Sequence, residues 1–224
     1  MSLPATMQGV QLTGHGGPDV LVWSDAIPVP RPKPGEALVR VLAAGVNNTD
    51  INTRIGWYAK TVTGATDTSG AAAAEDGGWA GALAFPRIQG ADLCGRVVAH
   101  GPGVTAPPLG ARVTCATNQP VPTPGNPVAF EAIGSEYDGA FAEYCAVPAD
   151  RLHDVTASPL SDTEIGAMPC AFGTAMALLR RAGVTAADTV LVTGASGGVG
   201  LAAVQIAARL GARVIGQTSP DKAA

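Results

Sequence analysis

Over residues 1–157 hydrophobic and polar positions alternate in short runs. Examples are Ala37-Leu38-Val39-Arg40-Val41, Gly95-Arg96-Val97-Val98-Ala99 and Ala140-Phe141-Ala142-Glu143-Tyr144-Cys145. Turn signals separate such runs: Pro34-Gly35, Gly101-Pro102-Gly103 and Pro124-Gly125. Short strands spaced by Gly/Pro turns predict a β-rich barrel or sandwich. Within it, residues of about 61–81, including Ala71-Ala72-Ala73-Ala74, hold too few large apolar side chains to pack as an element. That stretch reads as a mobile insertion, either a lid or a tolerated surface loop.

From residue 158 the period changes. Ser161-Asp162-Thr163-Glu164 is a capping box, with the Ser side chain placed to accept from the Glu164 N–H and the carboxylate reaching back. Helical sequence continues to Arg181, interrupted near Pro169, and Gly183 is placed to stop it. Thr189-Val190-Leu191-Val192-Thr193 is an apolar, β-branched run expected to be a buried parallel strand. Gly194-Ala195-Ser196-Gly197-Gly198-Val199-Gly200 follows at once, then a helix to about Leu210, Gly211, and a second strand, Arg213-Val214-Ile215-Gly216-Gln217. The sequence therefore predicts two domains, 1–157 and 158–224, the second opening on a β-α-β unit.

Composition narrows the function. Hydrophobic residues make up 46% and charged ones 14%, ample for a packed core. A net charge of −4 offers nothing to attract nucleic acid or an anionic membrane surface. No apolar run approaches the roughly 18 residues of a membrane span, and Met1–Val10 lacks the blocks of a signal peptide. A cytoplasmic location is the expectation. Cys94, Cys115, Cys145 and Cys170 are scattered without a Cys-x-x-Cys pair, which suits free thiols better than a disulfide framework or a structural zinc lobe.

The glycine loop carries the clearest chemistry. A strand turning straight into a helix needs glycine at the bend, and again where a pyrophosphate approaches backbone N–H groups. The helix N-terminus then offers unpaired donors and partial positive charge. Gly194, Ser196, Gly197, Gly198, Val199 and Gly200 are accordingly candidate dinucleotide ligands. The other reading is a close-packed turn that holds no ligand. A P-loop is excluded because Leu201-Ala202, and not Lys-Ser/Thr, follow the last glycine. At the tip of the second strand no carboxylate stands to bond a ribose 2′-OH; Ser219 and Lys222 offer a donor and a positive charge instead, which favours NADP(H), with Asp221 counting against.

Position in the chain separates two families that share such a loop. The short-chain dehydrogenases begin with the nucleotide strand and carry Tyr-x-x-x-Lys, a pair this chain lacks. The chain instead resembles the medium-chain dehydrogenase/reductase superfamily, and within it the zinc-free quinone oxidoreductases. The resemblance rests on His15-Gly16-Gly17-Pro18-Asp19-Val20-Leu21, Ala44-Gly45-Val46-Asn47-Asn48-Thr49-Asp50, Gly90-Ala91-Asp92-Leu93-Cys94-Gly95, Gly110-Ala111-Arg112-Val113, Asp138-Gly139-Ala140-Phe141-Ala142-Glu143-Tyr144 and the start of the helix at Gly200. It implies an α/β plus β chain: a GroES-like β-barrel domain, then the first half of a Rossmann doubly wound domain, with the chain ending before that sheet is complete. It also implies a homodimer.

Zinc-dependent members carry Cys at the position of Asn47 and His-Glu at Ala91-Asp92, while Cys170 matches the third ligand position. One thiol cannot hold a catalytic zinc, so no metal is expected. What remains by resemblance is hydride transfer from NADPH to a quinone or an α,β-unsaturated carbonyl. Asn47 and Asp50 would line the cleft beneath the nicotinamide, Tyr58 would sit at its mouth, and Thr174 would lie beside the cofactor. Each has a plainer reading: Asn47 and Asp50 only hold the turn, Tyr58 packs on Trp57, and Thr174 bonds its own helix. A tyrosine that some members carry is Asn52 here. The alternatives are a zinc-free alcohol dehydrogenase and a non-catalytic NADPH-binding protein.

Overall fold

The computed structural model describes residues 3–222 apart from 61, 64–76 and 82. The chain forms two compact units, Met1–Ala167 and Met168–Ala224. In the first, β1 (Thr6–Leu12), β2 (Leu21–Pro28), β3 (Glu36–Ala43) and α1 (Asn48–Arg54) are followed by β4 (Arg87–Ile88), β5 (Cys94–His100) and β6 (Arg112–Cys115). Then come β7 (Asn118–Pro120), β8 (Phe130–Ala132), β9 (Tyr144–Pro148), β10 (Leu152–Asp154) and α2 (Asp162–Gly166). The strands form a five-stranded antiparallel sheet in the order β10-β6-β5-β3-β9, a three-stranded sheet β2-β1-β4 and a small β7-β8 pair.

The strand β3 lies inside the larger sheet, and Ala37, Leu38 and Val39 in it are fully buried on successive positions. Both of its faces are covered, which is why the run starts as continuous apolar sequence before it alternates. Val39 joins Leu93, Val97, Val113, Ile133 and Val147 in the core. Each such side chain contributes about 1.5–3 kcal/mol by leaving water. The run Ala140–Cys145 is strand only from Tyr144; Ala142 makes an isolated bridge to Gly9. A Cβ on Gly9 would stand 2.7 Å from the Ala142 Cβ, so glycine lets the two sheets touch there.

The first unit runs past the break expected after residue 157, and Arg112 supplies the reason. Its guanidinium donates to the carbonyls of Val155, Ser158 and Leu160 and pairs with Asp162 at 3.2 Å. The segment 155–162 is thereby tied to β6, and α2 belongs with the barrel-like unit. The Ser161 Oγ accepts from the Glu164 N–H at 3.2 Å, and the Glu164 carboxylate accepts from the Ser161 N–H at 2.8 Å, completing the expected capping box.

The insertion expected at about 61–81 lies mostly outside the described residues. Its end, however, is held. The Trp79 N–H donates to Ser135 Oγ, the Ala80 N–H to Glu136 Oε1, and the Trp79 indole N–H to Thr53 Oγ1 at 2.7 Å. Residues 77–81 are therefore part of the first unit's packed structure, because one aromatic side chain and two polar anchors compensate for a poor composition.

In the second unit α3 (Pro169–Arg181) precedes β11 (Thr189–Thr193), α4 (Gly198–Arg209) and β12 (Arg213–Gln217). The strands pair in parallel from Thr189↔Arg213 to Thr193↔Gln217. Ala175, Ala202, Ala203 and Ala207 are buried between helices and strands, small residues that allow close packing. The strand β11 departs from the expectation of full burial: Val192 is buried, while Leu191 is 61% exposed. Among the described residues, helices cover only one face of this two-stranded sheet. Among the described residues no helix is long and apolar enough to cross a membrane.

Candidate functional site

The turn from β3 into α1 is held from within. Asn47 stands at the N-cap, and the Asp50 carboxylate accepts its backbone N–H at 2.8 Å. The other oxygen of Asp50 accepts from the Ala91 N–H at 3.2 Å, and the Asp50 carbonyl accepts from the Gln89 amide at 2.8 Å. The Asn47 side-chain amide donates to Asp92 Oδ2 at 3.0 Å. Segment 89–92 thus clamps the turn through three hydrogen bonds.

Asp50 is 6% exposed and Asp92 1% exposed. Burial lifts the Asp50 carboxyl from its ordinary 3.8 to about 6. The N–H groups of Asn47 and Ala91 pull it down, and the nearby Asp92 pushes it up. With both oxygens given to backbone N–H groups, Asp50 holds the turn, which is the plainer of its two sequence readings. Asn47 is half-buried, and a primary amide carries two N–H groups.

Next to this turn Tyr58 is half-buried, and its hydroxyl shares a hydrogen bond with the buried Thr49 Oγ1 at 2.8 Å. Its ring meets Trp57 edge-on at 5.4 Å and Trp79 at 5.8 Å. Thr53 links the set, accepting from the Trp79 indole and donating to the Thr49 carbonyl. So Tyr58 does pack beside Trp57, and its phenol also ends on a hydroxyl of α1.

In the second unit the glycine loop joins β11 to α4. Gly194 has φ +64°, which only glycine adopts without strain. A Cβ on Gly200 would fall 2.2 Å from the Gly194 carbonyl oxygen, so this position too demands glycine. Gly197 and Gly198 differ. A Cβ there meets nothing nearer than 3.4 Å and 3.7 Å, ordinary contact, and both residues are exposed. The protein's own packing leaves their glycines unexplained; the close approach of a ligand would explain them. Ser196 and Val199 are exposed, and Ser196 Oγ accepts from Thr218 Oγ1 at 2.9 Å.

Thr174 is exposed on α3. Ser219 and Lys222 are exposed and share one turn, with the Lys222 N–H donating to the Ser219 carbonyl at 3.0 Å; Asp221 is exposed in the same turn.

Comparison with known proteins shows that residues 33–157 match the alcohol dehydrogenase GroES-like domain. The chain belongs to this family. It is therefore one of the medium-chain dehydrogenases/reductases, as its motifs imply. A quinone oxidoreductase from Pongo abelii is 31% identical over 217 residues, 96% of this chain and 54% of the relative. An acryloyl-coenzyme A reductase from Metallosphaera sedula is 30% identical over 227 residues, 97% of this chain and 60% of the relative. A solved structure assigned as an alcohol dehydrogenase, from Sinorhizobium meliloti 1021, superposes with a TM-score of 0.82 at 40% identity, covering 98% of this chain and 59% of its own. The chain spans about half the length of the curated relatives it matches.

Among family members that bind zinc through Cys and His, this chain stands apart at the ligand positions. Asn47 offers an amide already bonded to Asp92, and Ala91 offers a methyl group. Neither can ligate a borderline-soft ion, so these residues do not fit a catalytic zinc. Among the described residues no three His, Cys, Asp or Glu side chains cluster as a metal site would need. Cys94, Cys115 and Cys145 are buried free thiols, and burial pushes Cys115 up to about 12.

Sequence reasoning did not assign roles to Asp92, Thr49, Gln89, Trp79 or Thr218. A signal existed for Asp92, a carboxylate opening an otherwise apolar run, Asp92-Leu93-Cys94. The partners of the rest lie far away in sequence or on another element, and no local pattern marks them.

Proposed function

We propose that the protein reduces quinones or α,β-unsaturated carbonyl compounds with NADPH and without a catalytic zinc. The observation that carries this is the Asn47 amide, hydrogen-bonded to a buried carboxylate at the position where zinc-dependent members place a thiolate. A neutral donor cannot lower an alcohol's pKa as a Lewis acid does. It can stabilise the negative charge that develops on a carbonyl oxygen during conjugate reduction.

The second unit is read as the start of the dinucleotide-binding domain. Gly194 and Gly200 shape the turn, Gly197 and Gly198 leave room for a pyrophosphate, and the first turn of α4 offers N–H donors. Ser219 and Lys222 supply a hydrogen bond and a positive charge for a 2′-phosphate. Thr174 is assigned to the nicotinamide side. When bound, the cofactor supplies the hydride.

In the first unit Asn47 donates its free amide N–H to the substrate's carbonyl oxygen. Tyr58, fixed by Thr49, is placed to give a proton from its phenol. Asp50 keeps the backbone of the turn in shape and touches no substrate. The relatives named as a quinone oxidoreductase and an acryloyl-coenzyme A reductase support this chemistry.

The test is NADPH oxidation by the complete protein, in the presence of a chelator, against a panel of quinones and enones. NADH and an alcohol-plus-NADP⁺ reaction run alongside. Chelator-resistant turnover with NADPH is expected. Activity confined to alcohols, or dependent on added zinc, would overturn the reading. Tight NADPH binding without turnover of any acceptor would replace it with a non-catalytic role.

A further inference from the structure

Asp92 is among the most buried polar side chains of the first unit, at 1% exposure. Its Oδ2 receives the Asn47 Nδ2 at 3.0 Å. The space it occupies is kept for it. A Cβ on Gly45 would lie 2.7 Å from the same Oδ2 and 2.7 Å from the Gly166 carbonyl. The chain before α1 therefore carries a glycine where the carboxylate sits, and the carboxylate sits where it meets the amide.

A carboxylate accepts hydrogen bonds and, when ionised, donates none. An asparagine amide facing it has one acceptable orientation, nitrogen inward. With the carboxyl ionised, the rival orientation sets the amide oxygen against it, two acceptors in a buried site with no proton between them. The capping box at the start of α1 turns the Asn47 side-chain oxygen toward the Asp50 N–H, so the amide is held from both ends, its oxygen by the backbone and its Nδ2 by Asp92.

We propose that Asp92 is a positioning residue that orients the Asn47 amide, holding Nδ2 inward so that its second N–H remains available to the substrate's carbonyl oxygen. This rests on the reductase reading above. Asp92 touches no substrate; it acts through Asn47. A carbonyl acceptor is then met by an N–H donor and never by the amide oxygen, which would repel the growing negative charge.

Two measurements test this, chosen to separate it from the reductase reading itself. The first is a double-mutant cycle on the complete protein with Asn47→Ala and Asp92→Asn. An asparagine at 92 keeps the shape but can accept or donate, so it no longer dictates the orientation. Asn47→Ala should lower kcat about 100-fold, and Asp92→Asn about 10-fold with KM within about twofold. The double variant should match Asn47→Ala alone. Additive losses, or an Asp92→Asn enzyme as fast as the parent, would overturn the proposal.

The second needs no turnover, and its deciding observation is made on the parent chain. In the parent chain, the Asn47 side-chain amide is identified by its loss in the spectrum of Asn47→Ala. One of its two protons should be shifted downfield and exchange slowly with solvent. In Asp92→Asn that inequality should disappear. An Asn47 amide with two fast-exchanging, solvent-like protons in the parent chain would overturn the orientation whatever the enzyme assay gives. If the parent protein reduces no acceptor while the amide behaves as expected, the reductase reading fails and the positioning contact stands.

Discussion

The turn from β3 into α1 and the turn from β11 into α4 both shape a short backbone loop at the start of a helix, by opposite means. The first is held by side chains. Asp50, Asp92 and Gln89 send buried polar groups into it, and Thr49, Thr53 and Trp79 continue the network. The second is held by the absence of side chains, with Gly194 at φ +64° and no room for a Cβ at Gly200. A buried polar network fixes the direction of particular donors, as positioning a reacting atom requires. A bare backbone lets a bulky anion come close, as binding a pyrophosphate requires. Damage to the first should show in charge and pH, damage to the second in volume.

The largest effect is expected from volume. Gly200→Ala places a methyl group 2.2 Å from the Gly194 carbonyl, where backbone and not a flexible tip must move. Overpacking of this kind should cost upwards of about 3 kcal/mol. Calorimetry should show a lowered Tm, and NADPH titration of the complete protein should show no measurable binding. A variant that folds and binds normally would mean that this turn is not built as described.

The next effect belongs to the first turn. The Asp50 carboxyl is raised from 3.8 to about 6, mainly by burial. Between these values the folded protein holds a proton that the unfolded chain has released. The contribution of this group is therefore full below about pH 4 and lost as pH rises through about 6. The loss should reach about 2 to 3 kcal/mol. Denaturant titrations from pH 4 to pH 7 should show it as the difference between the parent and Asp50→Asn, whose neutral amide does not titrate. Parallel curves for the two would show that Asp50 carries no raised pKa.

The two turns were not equally legible. The glycine loop, the parallel strands and the Ser161–Glu164 box are written within a few residues of themselves, so local chemistry reads them. The clamp on α1 joins Asp50 to Ala91 and Asn47 to Asp92, partners 41 and 45 positions apart in the chain. Nothing near Asp92 announces that its acceptor faces an amide. Trp79 was lost in the same way: its polar anchors, Ser135 and Thr53, lie 56 and 26 residues distant. The exposure of Leu191 was missed for another reason. An apolar strand promises a cover, but only the packed structure shows which face has received one.

A smaller effect separates folding from binding inside the glycine loop. At Gly197 a new Cβ would come no closer than 3.4 Å to the Gly194 carbonyl, and φ is −84°. Gly197→Ala should therefore leave the Tm within about 1 °C, since no overpacking or backbone strain arises. If a pyrophosphate approaches this backbone, the same methyl group should weaken NADPH about 10-fold, which is about 1.4 kcal/mol. Unchanged affinity would favour the turn as a packing device alone and leave its exposed glycines without a purpose.

The smallest effect is expected where the second turn does use side chains. Thr218 Oγ1 donates to Ser196 Oγ at 2.9 Å, but the contact is exposed and water can replace either partner. Thr218→Ala should therefore cost no more than about 0.5 kcal/mol in urea unfolding. NADPH affinity should move by less than about threefold, because backbone groups rather than hydroxyls shape the loop. A tenfold loss of affinity would show that the Ser196 hydroxyl must be held in one direction to meet the cofactor. The second turn would then depend on an oriented side chain as the first does, and the contrast between them would narrow to how deeply each is buried.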